Sequence, residues 1–203
     1  MRALFTSCTI LLLLSISAFK TGDEWGDGLY ANIQTSKGKI VIKLEYGLVP
    51  KTVANFVGLA EGTIPNDFKK AGEPYYDGLN FHRVVADGII QGGCPEGNGM
   101  GNPGYKFKDE FNMKLVHDRA GTVSMANSGR HTNGSQFFIT HRAIPSLDHK
   151  HSVFGYVVQG LEVVNVIKEG DVMNKVTIIR VGSKAKAFKA ETHFTEKDRK
   201  KAD

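Results

Sequence analysis

The chain has 203 residues, 41% of them apolar, with 23 glycines against six prolines and only two cysteines. That fits one domain plus extensions, rich in turns and strands, and excludes collagen, a disordered coil and a disulfide framework. The net charge of +5 is concentrated at the ends: residues 184–203 hold seven basic and four acidic residues, Arg2 and Lys20 supply the rest, and residues 21–183 are neutral.

Arg2, the apolar run Ile10–Leu14 and the small residues Ser15-Ile16-Ser17-Ala18 read as an export signal over residues 1–20. The run is short for a bilayer span, so cleavage is expected in preference to an uncleaved anchor. Cys8 leaves with the signal, and Cys94 stays alone with no internal disulfide. The mature chain is then exported, periplasmic or secreted, or in the ER lumen of a eukaryote, with no membrane span. Residues 21–28 form a short extension.

Leu29–Thr35 and the alternating Ile40, Ile42, Leu44 make an opening hairpin turned by Ser36-Lys37-Gly38. Val53, Phe56, Val57 and Ala60 form one apolar helix face between Pro50 and Gly62. Thr63–Gly78 reads as a surface loop. Strands are expected at Leu79–Val85, Ile89–Gln91, Gly121–Ala126, Ser135–His141, Ser152–Val158 and Val176–Gly182, with a glycine-rich loop after Gly92. A second helix is expected at Leu161–Lys168. The pattern is all-β with two helices. Eight strands suffice to close a sheet into a filled barrel, although periodicity alone does not require closure. The basic end, 184–203, is expected to be a flexible, solvated tail.

Two stretches carry the chemistry. One runs from Phe81-His82-Arg83 to Gln91-Gly92-Gly93. The other runs from Ser124-Met125-Ala126-Asn127 to Asn133-Gly134-Ser135-Gln136-Phe137-Phe138-Ile139. They set backbone-gripping polar groups beside apolar groups that can hold a ring. They contain no paired nucleophile and base, no metal-ligand cluster and no phosphate loop. Such a site suits rotation about a peptide bond, in which no covalent bond is made. Phe137 and Phe138 point to opposite faces of one strand, and Phe138 is the candidate for the pocket.

Other motifs carry less. Gly99-Met100-Gly101-Asn102-Pro103-Gly104 matches a dinucleotide fingerprint, but Pro103 and Tyr105-Lys106-Phe107 do not begin the helix that it needs. His149-Lys150-His151 lacks a third ligand, so no metal is expected. Asn133-Gly134-Ser135 is a glycosylation sequon, of consequence only in a eukaryotic secretory route. The neutral body argues against nucleic acid as a partner.

From Leu29 to Gly182 the chain resembles the cyclophilins, a family of peptidyl-prolyl cis-trans isomerases. The resemblance rests on Thr52-Val53-Ala54-Asn55-Phe56, Phe81-His82-Arg83, Gln91-Gly92-Gly93, Phe107-Lys108-Asp109-Glu110-Phe111, Ser124-Met125-Ala126-Asn127, Gly134-Ser135-Gln136-Phe137-Phe138-Ile139 and Val153-Phe154-Gly155. It is most like bacterial exported members. It implies an isomerase domain over 29–183 and a closed eight-stranded antiparallel β-barrel, capped by an α-helix at each end, with a groove on its outer face. It implies isomerisation of X-Pro bonds in exported polypeptides, without a cofactor, by a monomer. By position, Arg83 and Gln136 match the catalytic residues. Phe81, Ile89, Gln91, Ala126, Asn127, Phe138, Leu147 and His151 match the substrate-binding groove.

Two departures stand out. Gly88 replaces a usual Phe of the proline pocket, and Ser146 replaces a Trp common at its rim. The first implies a loosely binding pocket, and the second implies weak cyclosporin binding. Together they motivate the alternative of a proline-peptide binding module or holdase with weak turnover.

Overall fold

The computed structural model describes residues 25–202. The expected signal, 1–20, lies outside the described residues. Strands β1 (Gly28–Thr35) and β2 (Gly38–Leu44) pair antiparallel as the expected hairpin. Leu29, Ala31 and Ile33 face the core with Ile40, Ile42 and Leu44. Helix α1 (Pro50–Glu61) starts on Pro50 and stops at Gly62, which is left-handed at φ 72°. A Cβ at Gly62 would lie 2.7 Å from the Glu73 carbonyl oxygen, so only glycine fits. No acid sits in the first turn of α1. Glu110 supplies one from afar, accepting the Thr52 N–H at 2.7 Å and the Thr52 hydroxyl at 2.8 Å.

The remaining elements are β3 (Arg83–Val85), β4 (Ile89–Gly92), β5 (Tyr105–Lys106), β6 (Thr122–Met125), β7 (Phe137–Thr140), β8 (Val153–Gln159), α2 (Leu161–Val164), β9 (Met173–Val181), α3 (Gly182–Ala187), α4 (Ala190–His193) and β10 (Lys200–Lys201). Eight strands form one curled antiparallel sheet in the order β3-β4-β7-β6-β8-β2-β1-β9. Helix α1 fills the hollow of the curl. Its Phe56 ring meets Tyr76 at 5.0 Å, Phe154 at 5.4 Å and Phe137 at 5.5 Å.

The expected closed barrel is not what forms. The edge strands β3 and β9 do not pair as strands, and the sheet is open. The segment ahead of β3 is irregular, so the seam is laced by chain outside the strands. An isolated bridge joins Asn80 to Val172. The Phe81 N–H donates to the Asp171 carbonyl at 2.9 Å, and the Met173 N–H to that of Leu79 at 2.8 Å.

The expected flexible tail also differs. Residues 184–202 are built onto the body: Ala185, Phe188, Ala190 and Phe194 are buried. Phe188 packs edge-on to Tyr46 at 5.4 Å, and Phe194 meets Phe107 at 5.2 Å. Strand β10 pairs with β5 in a small second sheet, and Lys51 bonds Asp198 at 2.6 Å. These four apolar residues stand among seven cations, so charge counting hides them.

Candidate active site

The register of three strands builds the site. Arg83 on β3 stands opposite Gln91 on β4, and Gln91 stands opposite Phe138 on β7. The three therefore share one face of the sheet. The neighbouring row, Ile90 and Ile139, is fully buried on the other face. Arg83 begins its strand and is exposed.

A chain of amide bonds follows this row. Arg83 Nη1 donates to Gln91 Oε1 at 3.2 Å, and Gln91 Nε2 donates to Gln136 Oε1 at 2.9 Å. Gln136 Nε2 then donates to the carbonyls of Gly99 at 2.8 Å and Gly101 at 2.9 Å. The bond to Gln91 is the sole side-chain hydrogen bond of Arg83 among the described residues, so most of its five-donor fork stays open.

Two adjoining hollows lie along this chain. The larger, about 570 Å³, is lined by Arg83, Ile89, Gln91, Ala126, Asn127, Phe138, Leu147 and His151. Eight of the ten residues expected at the site meet there. Gln136 lines the smaller hollow, about 410 Å³, and Gln91, Ala126 and Asn127 line both.

Phe81 is the exception. It is fully buried and belongs to the core, not to the groove. Its N–H and carbonyl bond Asp171 and Gly170 across the seam. The regular strand starts only at Arg83, so the alternation that turns Arg83 outward does not extend back to Phe81.

Phe138 is held between two histidines. His117 stacks nearly parallel to it at 5.9 Å and 14°, and His151 meets it edge-on at 5.3 Å. His151 Nδ1 lies 3.0 Å from the Met125 carbonyl, which only accepts, so Nδ1 carries the proton. Burial lowers the His151 pKa, and the bond to Met125 opposes that only in part. Burial also lowers the pKa of His117, whose Nδ1 lies 2.8 Å from Asp148 Oδ1. Burial pushes the Asp148 carboxyl up, but the backbone and ring bonds from His117 outweigh it, and its pKa falls below the usual value.

Asn127 donates through Nδ2 to the Lys150 carbonyl at 2.9 Å, which orients the amide at the junction of the hollows. Leu147 ends a 3-10 turn, Pro145–Leu147, with the exposed Ser146 beside it. Gly88 lies in the turn between β3 and β4, outside the lining of both hollows. Asn133 of the sequon is buried, with Nδ2 bonded to the Phe107 carbonyl at 3.2 Å and to Asp109 at 2.8 Å, so it is closed to glycosylation in the folded chain.

His82, Met100 and the strand β5 line the hollows without having been among the expected site residues. Met100 lines both hollows and is 83% exposed, while Tyr105 and Lys106 line the smaller one. The available signal was the glycine run 97–104 between two strand regions, a backbone that no helix claims.

An outward-facing arginine, an aromatic hollow and an amide chain on a curled antiparallel sheet are the marks of a peptide-handling groove. The family model described as cyclophilin type peptidyl-prolyl cis-trans isomerase/CLD matches residues 30–183. The chain belongs to that family. A Helicobacter pylori peptidyl-prolyl cis-trans isomerase is 42% identical over 156 residues, spanning 76% of this chain and 89% of that protein. Peptidyl-prolyl cis-trans isomerase B of Bacillus subtilis is 45% identical over 136 residues, covering 67% and 90%. A crystal structure of a cyclophilin type isomerase from Cryptosporidium parvum is similar in fold, with a TM-score of 0.65 at 30% identity over 75% of this chain and 98% of that one. A second structure of that protein, in the presence of the dipeptide Ala-Pro, gives a TM-score of 0.61 at 30% identity and covers 76% and 99%.

Proposed function

We propose that this protein is a peptidyl-prolyl cis-trans isomerase whose larger hollow seats the proline ring and whose Arg83 stabilises the half-rotated imide. The observation that carries this reading is the row Arg83–Gln91–Phe138 across three paired strands. It sets a guanidinium and an aromatic wall on one cavity.

The chemistry follows from resonance. Rotation about the peptide bond meets a barrier of ~18–20 kcal/mol. The two X-Pro isomers differ by only about 0.5–1 kcal/mol, so the problem is rate. Midway through the twist the nitrogen regains its lone pair, and the carbonyl loses conjugation. A guanidinium donating to that nitrogen, or to the prolyl carbonyl, favours the twisted form over either planar one, which is differential binding. Gln91 orients Arg83 through its Oε1. Gln136 and Asn127 hold the flanking backbone, while Phe138, Ile89, Leu147 and His151 hold the ring. The Ala-Pro dipeptide present with the Cryptosporidium parvum relative supports a proline peptide as substrate.

The open fork of Arg83 favours turnover over passive holding. The decisive experiment is exchange spectroscopy or a protease-coupled assay on an X-Pro peptide. Wild-type protein accelerates isomerisation, and Arg83→Ala does not. Equal rates for the two would end the reading. The clients we propose are exported chains, on the strength of residues 1–20. Finding that the mature protein from the native cell retains Met1 would remove that part alone.

A further inference from the structure

Strand β10 places Lys200 directly opposite Lys106 of β5. Directly opposed residues of an antiparallel pair project to the same side with their Cβ atoms about 5 Å apart, and like charges so placed repel. Lys106 lines the smaller hollow. Among the described residues neither lysine joins an ion pair. Asp67 packs its carboxylate against Gly104, next to β5, yet pairs with neither. Among the described residues no Asp or Glu lines either hollow; Arg83 and Lys106 are the lysine and arginine cations there. The rest of the smaller hollow offers amides and hydroxyls, among them Asn102, Asn127, Thr132 and Gln136.

We infer that Lys106 and Lys200 form a cationic rim on the smaller hollow that selects substrates with a carboxylate side chain near the X-Pro bond. This rests on the isomerase reading and deepens it. Lys200 lies beyond residues 30–183, the span of the family match, so the second cation is supplied by this chain's own C-terminal segment. That segment is held in place by Phe194 against Tyr105 at 5.8 Å and by the Ala202 N–H on the Gly104 carbonyl at 3.2 Å. An acidic substrate side chain would relieve the repulsion between the lysines and would meet no competing carboxylate among the described residues that line the groove.

The test is a set of X-Pro peptides carrying Glu, Gln or Lys at each of the three positions on either side of the Xaa-Pro pair. At low salt, wild-type protein should turn over the best Glu peptide with kcat/KM roughly three- to tenfold above its Gln counterpart, with Lys below Gln. That ratio should fall toward one at about 0.5 M salt. Lys200→Gln should cut the ratio and Lys200→Glu should invert it. Both variants should keep the wild-type Tm or exceed it, because a repulsion has been removed. A Glu:Gln ratio of one at every position, or a ratio unmoved by Lys106→Gln and Lys200→Gln together, overturns the inference. Gln-peptide turnover tests the isomerase reading separately. Were it absent, the same ratios measured as peptide affinities would decide the inference.

Discussion

The two hollows of the groove are made differently. The larger takes Arg83, Gln91 and Phe138 from three strands of the main sheet, where register fixes them. The smaller takes Gly99–Asn102 from a loop and Tyr105–Lys106 from β5, whose one strand partner is β10 of the C-terminal segment. One wall is held by the sheet's own ladder; the other is held by an appended segment. Bond rotation needs an arginine set against a ring seat, and a sheet supplies that. Choice among peptides needs a wall that can differ between relatives, and an extension outside the family match supplies that.

The sharpest way to break this comparison is to detach the segment. Phe194→Ala removes a buried ring packed on Phe107 and Tyr105. It should cost about 3–5 kcal/mol of unfolding free energy by denaturant titration. The fraction that remains folded should still turn over a minimal X-Pro peptide, because the row through Arg83 does not use the segment. An unchanged unfolding midpoint would show that the segment is not docked. Next in size is Arg83→Ala. Loss of one preorganised donor to a transition state costs about 100- to 1000-fold, here expected mostly in kcat with unfolding unchanged. A loss confined to KM would move Arg83 from stabilising the twist to gripping the ground state.

The same contrast explains what could be read in the chain. Arg83 and Gln91 were legible through the resemblance of their two stretches to the family, while strand alternation with its period of two separated Phe138 from Phe137, which took the core side as expected. Phe81, assigned to the groove by the resemblance, lies in the core instead, because regular strand begins only at Arg83 and the peptide ahead of it turns inward. The loop Gly99–Asn102 has no period, so its place on the groove depends on contacts distant in sequence, such as Gln136 on the Gly99 carbonyl. The segment 184–202 escaped because Ala185, Phe188, Ala190 and Phe194 share no single helical or strand period: two short pairs, three and four residues apart, are offset from each other. Only the surfaces they meet reveal them. Closure of the sheet was expected from strand number, but it depends on how the chain enters β3, which counting strands does not show.

A smaller effect probes the ring seat through pH. Burial lowers the pKa of both His117 and His151, so each is neutral at pH 7. Between those lowered values and the unfolded value near 6.5, the unfolded chain binds more protons than the folded one. The stability these groups contribute is therefore complete above about pH 6.5 and is lost as pH falls through the folded values. Turnover should be flat from about pH 7 to 9, since a guanidinium keeps its charge throughout, and should decline on the acid side of the unfolded imidazole value as pH falls through the lowered folded values and the rings flanking Phe138 gain charge. His151→Asn should weaken that decline. An activity profile flat across the whole acid range in which the protein stays folded would detach these histidines from the seat.

The smallest expected effect sits at the turn beside that seat. Gly88 has no left-handed φ, so a side chain is permitted there by the backbone. Its N–H closes the turn on the Val85 carbonyl at 3.0 Å, and a new Cβ would come within 3.0 Å of Val85 Cγ1. Val85 is 39% exposed, so its side chain has room to yield. The next residue, Ile89, lines the larger hollow. Gly88→Phe should therefore extend the apolar rim and lower KM for X-Pro peptides about two- to tenfold, with little change in kcat, because ring burial adds ground-state and transition-state binding alike. The comparison of hollows gives the variant a second edge. Extra apolar surface at the sheet-built seat should leave the Glu:Gln ratio at the loop-built one untouched. A KM that does not move would mean that Phe138, Ile89 and Leu147 already complete the seat and that Gly88 serves the turn alone.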